Sequence, residues 1–163
     1  MVTTWESIST TCGCVIGPLS GEGAARHGGR FNRPVTPALY TSLDPVTAWF
    51  EAQQAFVFKP QPMTLVTYEV DCDHLADLED KGTLARLNAS AIDLACPWED
   101  LADRGMTPPT WRLVDRLLAA GAHGAMAPSQ APGAPPGAVN LVFWQRDATC
   151  RIEVIDDFGN LSP

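Results

Sequence analysis

The stretch Ser20-Gly-Glu-Gly-Ala-Ala-Arg-His-Gly-Gly-Arg-Phe-Asn32 lies in a glycine-rich segment, residues 12–34. Glycine adopts backbone conformations that other residues avoid and lets the backbone approach a partner closely. The composition therefore predicts an irregular loop that brings backbone near a ligand. Two glycines also allow a tight turn before Arg30, whose planar guanidinium suits phosphate. A surface arginine in a turn is the commoner explanation of these residues.

Hydrophobic periodicity on either side of this loop predicts a mixed α+β domain. Strands are predicted at residues 37–41, 63–70, 122–127, 139–144 and 150–155, the last two forming a hairpin around residues 146–148. Helices are predicted at residues 45–56, within 83–94, at 97–101 and at 110–120. Asp44 is the expected N-cap of the first helix, and Gly121 is expected to end the last. Residues 130–138 form a Pro/Gly/Ala loop of the kind that covers a site.

Length and charge limit the classes of function. The 163 residues fit a single domain, residues 1–163, and the 45% hydrophobic and 18% charged composition is typical of a folded protein. The net charge of −8 argues against direct binding to nucleic acid, which needs clustered Lys and Arg. The sequence has no apolar run of about 18 residues and no signal-peptide pattern at its start, so we expect no membrane association and a cytoplasmic location.

The five cysteines do not follow the spacing of a disulfide scaffold, and their number is odd. We therefore expect free thiols. The pair Cys12 and Cys14 is too closely spaced for a structural zinc site and has no second pair, and the three histidines form no HExxH motif. No metal site is expected.

Two side chains after the loop are candidates for chemistry. Tyr40 ends a predicted strand, where its ring can stack on a flat heterocycle, although a half-buried core tyrosine is commoner. Glu51 lies on a helix among apolar residues, where a carboxylate is costly unless it is paired or functional. A solvent-exposed acidic residue on a helix would explain Glu51 equally well. Glu69 is the rival acid, and strand alternation is expected to point it to solvent.

Read together, these residues resemble the RES-domain family. This family comprises bacterial toxins named for an Arg, a Glu and a Ser and usually paired with an Xre-type antitoxin. The resemblance extends from about residue 20 to about residue 144. It rests on the stretch 20–32, on Pro37-Ala-Leu-Tyr-Thr-Ser42, on Ala48 and Glu51, on Pro128-Ser129 and on Asn140-Leu-Val142. The sequence departs from the family at Phe31, often Trp there, and at Arg33-Pro34, where Arg33 is a further candidate for phosphate contact.

The resemblance implies an ADP-ribosyltransferase-like fold, in which a split, mostly antiparallel β core with flanking helices encloses an NAD cleft. It assigns catalytic roles to Arg30, Tyr40, Glu51 and Ser129. Arg30 would bind the pyrophosphate or the ribose next to nicotinamide, Tyr40 would stack, and Ser129 would lie near the NAD. Gly29, Asn32 and Asn140 complete the expected NAD-binding set.

The implied activity is cleavage of the nicotinamide–ribose bond of NAD, which is the substrate. The ADP-ribose would pass to a protein acceptor, for which a nucleotide-synthesis enzyme such as phosphoribosyl pyrophosphate synthetase is the family precedent. Trp49 and Gln53 stand near Glu51 without the second acid that arginine-directed transferases use, so arginine is not the expected acceptor residue. Two alternatives stay open: an NAD glycohydrolase or phosphorylase, and an inactive module that only binds its antitoxin. The expected partner is an Xre-type antitoxin that blocks the cleft.

Overall fold

Seven strands form one hydrogen-bonded sheet in the computed structural model, which describes residues 2–7, 17–53 and 63–156. In chain order they are β1 (Val2–Ser7), β2 (Leu39–Ser42), β3 (Met63–Cys72), β4 (Leu75–Asp77), β5 (Gly124–Pro128), β6 (Val139–Phe143) and β7 (Cys150–Ile155). Their order across the sheet is β4-β5-β6-β2-β1-β3-β7. All neighbours are antiparallel except β4 and β5, which are parallel.

Helices occupy the connections between these strands. They are α1 (Glu22–His27), α2 (Pro45–Gln53), α3 (Lys81–Arg86), α4 (Ala91–Leu94), α5 (Trp98–Asp103) and α6 (Pro109–Ala119). The predicted α+β class is confirmed. Gly121 has φ of +79°, a conformation that favours glycine, directly after the C-cap of α6. No helix among the described residues is long and apolar enough to cross a membrane.

Side-chain alternation along the strands separates two cores. One, the helix-side core, packs α3, α4 and α6 against one face of β5 and β6, and it is built around Leu84, Leu94, Leu113, Ala127 and Val142. The other, the inter-strand core, contains Leu39, Val66, Tyr68, Leu141, Phe143, Cys150 and Ile152. Because successive strand residues point to opposite faces, Asn140 lies on the face that carries Val142.

The composition of the inter-strand core shows how the sheet is shaped. Its residues come from β2 and β6 in one half of the sheet and from β3 and β7 in the other. Between the halves, β1 and β2 share the single registered pair Thr3↔Ser42 in the described residues. Only Asp73 and His74 separate β3 from β4, which lie far apart in strand order. The sheet therefore curls so that its halves pack against each other, as in a split β core.

Two sequence predictions need correction, and two strands were not predicted. The hairpin of β6 and β7 is wrong, because β6 lies between β5 and β2 while β7 pairs with β3. The connection carries the chain from one half of the sheet to the other instead of turning back. Residues 22–27 are helical, not irregular, and residues 12–16 lie outside the described part of the chain. The short strands β1 and β4 have no counterpart among the predicted strands.

The expectation of free thiols is also wrong for two cysteines. Cys72 and Cys150 are joined by a disulfide between directly opposed positions of β3 and β7. They are 78 residues apart, so only the strand register brings them together. Cys96 is a free, buried thiol, whereas Cys12 and Cys14 lie outside the described residues.

The helix-side core predicts a large cost for truncating its central side chain. Leu113 on α6 is 0% exposed, so Leu113→Ala should lower the free energy of unfolding by about 2–5 kcal/mol through lost burial and a cavity. The measurement is a urea titration with an unchanged slope. Arg116→Ala, an exposed change on the same helix, should stay within about 0.5 kcal/mol of the parent. Equal losses in both variants would contradict this packing.

Candidate functional site

The structure brings the carboxylate of Glu51 to the Ser129 and Asn140 side chains. Ser129 Oγ donates a hydrogen bond to Glu51 Oε1 at 2.5 Å, and Asn140 Nδ2 donates to the same oxygen. Glu51 comes from α2, Ser129 follows β5, and Asn140 lies in β6. Three separate elements therefore define the position of one carboxylate oxygen.

The orientation of the Asn140 amide is fixed by Ser42, a residue that the sequence analysis did not select. Ser42 Oγ donates to Asn140 Oδ1 at 2.7 Å, so the amide must present its NH₂ group to Glu51. Ser42 and Asn140 are directly opposed in the β2–β6 ladder. A correct strand pairing would have identified Ser42, because directly opposed side chains share one face.

Asp44 sets the start of the helix that carries Glu51. Its carboxylate accepts hydrogen bonds from the Thr47 backbone N–H at 2.9 Å and from Thr47 Oγ1 at 2.5 Å, as an N-cap does. These two hydrogen bonds, the side-chain one first, lower the pKa of the Asp44 carboxyl. The predicted cap is confirmed, and α2 begins at Pro45. Residues 54–56 of the predicted helix lie outside the described residues.

The loop after Ser129 folds back over α2. Ser129 Oγ accepts from the Ala131 N–H at 3.2 Å, and the Ser129 N–H donates to the Ala138 carbonyl at 2.8 Å. Within the loop, Gly133 has φ of +87° and lies so close to Phe50 that a Cβ there would stand 2.8 Å from the ring. The 130–138 loop therefore packs against the helix that carries Glu51.

The turn from Gly29 to Asn32 is held by Tyr40. The Tyr40 hydroxyl donates to Asn32 Oδ1 at 2.8 Å and accepts from the Phe31 N–H at 2.9 Å. Asn32 is 0% exposed, and its Nδ2 donates to the carbonyls of Ala24, Arg33 and Thr36. The amide of Asn32 is thus engaged inside the loop that it shapes.

Two tryptophans anchor the same turn from outside. Trp111 Nε1 donates to the Gly29 carbonyl at 2.8 Å, and Trp144 Nε1 donates to the Phe31 carbonyl at 2.7 Å. Helical periodicity alone places Trp111 on the apolar face of its helix. Nothing in the local pattern indicates an indole that reaches 82 residues back along the chain.

Arg30 projects from this turn toward the end of α4. Its Nη1 donates to the carbonyls of Leu94 at 2.9 Å and Cys96 at 2.7 Å, which orients the guanidinium. Burial lowers the pKa of Arg30, and electrostatic interactions with Cys96, Glu51 and Tyr40 act in the opposite direction. Glu51 and Tyr40 are therefore near enough to act electrostatically on the guanidinium.

The Tyr40 hydroxyl stays protonated in this environment. Burial raises the pKa of Tyr40 well above its ordinary value, although the Phe31 N–H and the Arg30 charge act in the opposite direction. A neutral hydroxyl is also what its role as donor to Asn32 requires. Tyr40 is accordingly suited to structural and stacking roles and not to proton transfer.

The other two candidates lie elsewhere. Glu69 is exposed on β3, opposite Glu153, as strand alternation predicted. Arg33 donates from Nε and Nη2 to both carboxylate oxygens of Asp115, at 3.2 and 2.6 Å, and lies 5.4 Å from the Trp111 ring centroid. The ion pair with Asp115 thus occupies the N–H groups of Arg33 that a phosphate contact would need.

Comparison with known proteins finds a family match and a similar solved structure. The sequence model of the RES domain matches residues 5–159. In structure, the chain is similar to a protein in the crystal structure of the M. tuberculosis MbcT–MbcA toxin–antitoxin complex. The sequence identity is 21% and the TM-score 0.58, over 95% of this chain and 82% of that one. At this identity the likeness supports the fold. No curated protein sequence matches the chain.

The tight turn predicts that Gly29 has no room for a side chain. A Cβ at Gly29 would lie 2.6 Å from the Tyr40 hydroxyl and 2.7 Å from Asn32 Oδ1. We expect Gly29→Ala to lower the free energy of unfolding by about 1–3 kcal/mol through this overpacking. Gly23→Ala is the matched control, because it lies in α1 with nothing within 4 Å, and it should be neutral or stabilising by about 0.5–1 kcal/mol. A neutral Gly29→Ala would contradict the geometry of the turn.

The cap on α2 predicts a pH-dependent contribution to stability. Asp44→Ala should cost about 1 kcal/mol at neutral pH. The pKa of Asp44 is lowered in the folded state, so its contribution is complete above the unfolded value of about 3.9 and is lost as the pH falls through the folded value. Chemical denaturation at several pH values measures the difference between parent and variant. Asp103→Ala, an exposed acid on α5, should show neither effect, and a difference for Asp44 that does not shrink in acid would contradict the cap.

Proposed function

The chain belongs to the RES-domain family, and on that premise we propose that it is a toxin that cleaves the nicotinamide–ribose bond of NAD. The observation that carries the proposal is the Glu51 carboxylate, held by Ser129 and Asn140 within electrostatic reach of Arg30. An anchored carboxylate beside an anchored cation offers complementary charges to the ribose and the phosphates of a dinucleotide.

Glu51 is assigned the stabilisation of the transition state. As nicotinamide departs, positive charge develops on the ribose, and a fixed carboxylate stabilises that charge without having to reorganise. Ser129, which follows β5, and Asn140, which lies in β6, hold the carboxylate in this fixed position. The loop at residues 130–138, packed over α2, would exclude water and strengthen the interaction.

Arg30 is assigned the binding of NAD. Among the described residues, its hydrogen bonds come from Nη1 alone and reach two backbone carbonyls, which turn the guanidinium plane in one direction. A guanidinium oriented in this way can offer its remaining N–H groups to the pyrophosphate or to the ribose next to nicotinamide. The chain has a net charge of −8, so the half-buried Arg30 supplies a local positive charge that attracts an anionic substrate.

Tyr40 and the turn that it holds are assigned the shape of the pocket. The Tyr40 ring would stack on the nicotinamide, since its hydroxyl is already engaged by Asn32 and Phe31. Gly29 would let the substrate approach the backbone. Asn32 contributes by holding the turn, because its own amide is fully buried.

The ADP-ribose is proposed to pass to a protein acceptor, with a nucleotide-synthesis enzyme such as phosphoribosyl pyrophosphate synthetase as the candidate. Trp49, two positions before Glu51 on α2, is 42% exposed and offers apolar surface for a protein contact. The antitoxin, of Xre type, is proposed to bind over the same cleft and block it. No metal takes part in this mechanism, and the protein is proposed to act in the cytoplasm.

The first prediction for this function separates Glu51 from its rival. Glu51→Gln keeps the size of the side chain and removes its charge, so nicotinamide release from NAD should fall by about 100-fold to 1000-fold. Glu69→Gln, an exposed change in β3, is the matched control and should keep the parent rate. Both variants should show parent-like thermal unfolding. An active Glu51→Gln enzyme would reject the assignment.

The second prediction concerns the acceptor and the toxic effect. With NAD labelled in the adenosine, incubation with lysate should transfer label to one protein band. Nicotinamide release from NAD alone at the same rate would instead indicate hydrolysis or, with phosphate, phosphorolysis.

Expression without antitoxin should arrest growth, and Arg30→Ala or Glu51→Ala should restore it. Growth arrest by both variants, with no NAD consumption by the parent, would favour an inactive binding module.

A further inference from the structure

Two cysteines and a histidine meet in the inter-strand core, away from Glu51. Cys72 ends β3, Cys150 begins β7, and His123 directly precedes β5. The two sulfurs and one ring nitrogen of His123 all lie within 4.8 Å of one another. Thiolate and imidazole are the ligands that Zn²⁺ prefers in proteins. Three elements from both halves of the sheet thus supply a set of potential ligands.

The His123 ring carries an unused nitrogen. Its side chain is 7% exposed, and its Nε2 lies 3.1 Å from Asp147 Oδ2. Nδ1 is buried and has no hydrogen-bond partner among the described residues. A buried polar atom without a partner is rare in folded proteins and calls for a physical explanation.

Asp147 determines which nitrogen can accept a ligand. Asp147 Oδ2 lies 3.1 Å from His123 Nε2, and Oδ1 accepts hydrogen bonds from the Thr149 N–H and hydroxyl. A carboxylate oxygen next to Nε2 accepts a hydrogen bond from that nitrogen and so favours the tautomer with its proton there. The Nδ1 lone pair is then available, and a carboxylate behind a histidine is the usual outer-shell arrangement of zinc sites.

We propose that the reduced form of the protein binds one Zn²⁺ through Cys72, Cys150 and His123 Nδ1. A dithiol reductant first transfers two electrons and two protons to the disulfide, forming two thiols and an oxidised reductant. Zn²⁺ then displaces both thiol protons to solvent, and two Zn–S bonds and one Zn–N bond form. A water molecule completes the tetrahedron.

The charge of the ligand set favours this cation. Two thiolates balance the charge of Zn²⁺ and neutral His123 adds none, so the site buries no net charge. A shallow surface depression of about 330 Å³ lies beside the cluster and is lined by Asp147 and Cys150, together with Arg146, Arg151, Ile152 and Glu153. In the disulfide form the sulfurs are bonded to each other and the site cannot form.

The test is a zinc titration of the full chain in a Cys12→Ser, Cys14→Ser background. These two substitutions remove the other two thiols that are close together in sequence. The protein is reduced with a phosphine and zinc is titrated against a chromophoric chelator. One equivalent should bind to the reduced protein and none to the oxidised protein. Cobalt in place of zinc should give thiolate-to-metal charge-transfer absorption and the intense visible bands of a tetrahedral site.

Variants then identify the ligands. Cys150→Ser and His123→Ala should lose stoichiometric binding, while Cys96→Ala, which removes a buried thiol outside the cluster, should bind as its background does. Asp147→Ala, a change at an exposed side chain, should weaken binding about 10-fold to 100-fold. The proposal is overturned if the reduced protein binds no zinc, if Cys150→Ser binds as well as its background, or if Asp147→Ala leaves the affinity unchanged.

Discussion

The arrangement of the site depends on one constraint, the fixed position of the Glu51 carboxylate. A helix, a strand and the residue after another strand meet there, because Ser129 and Asn140 both donate to Oε1. Each donor is itself held: Ser42 orients the Asn140 amide, and the Ala131 N–H binds the Ser129 hydroxyl. The antiparallel pairing of β6 with both β2 and β5 is therefore what places the acid.

The second support of the site is the turn from Gly29 to Asn32, which orients Arg30. Two of its carbonyls accept from indoles, and the Tyr40 hydroxyl accepts from the Phe31 N–H and donates to the Asn32 side chain. The guanidinium donates to carbonyls at the end of α4. These contacts come from β2, α6, the end of α4 and the residue after β6. Cation and carboxylate are thus held by different sets of residues.

Local chemistry made part of this fold predictable from the sequence. Asp44 with Pro45, the apolar face of α6 and Gly121 after it are signals that act within a few residues, and the structure confirms each. Family resemblance grouped Arg30, Glu51 and Ser129, which periodicity alone could not. What escaped prediction depends on strand register: Ser42 opposite Asn140, Cys72 opposite Cys150, and the separation of β6 from β7. Register is set by long-range packing, so no window of neighbouring residues contains it.

Ser129 is expected to act through Glu51, and a double-mutant cycle on nicotinamide release tests this dependence most directly. The four proteins are the parent, Ser129→Ala, Glu51→Gln and the double variant, each measured in single turnover with saturating NAD. Ser129→Ala should slow nicotinamide release by the parent about 100-fold, because displacing a catalytic carboxylate by about 1 Å reduces the rate by that factor. The same substitution should have little further effect once Glu51 is replaced. An equal loss in both backgrounds would show that Ser129 works independently of Glu51 and would contradict the account.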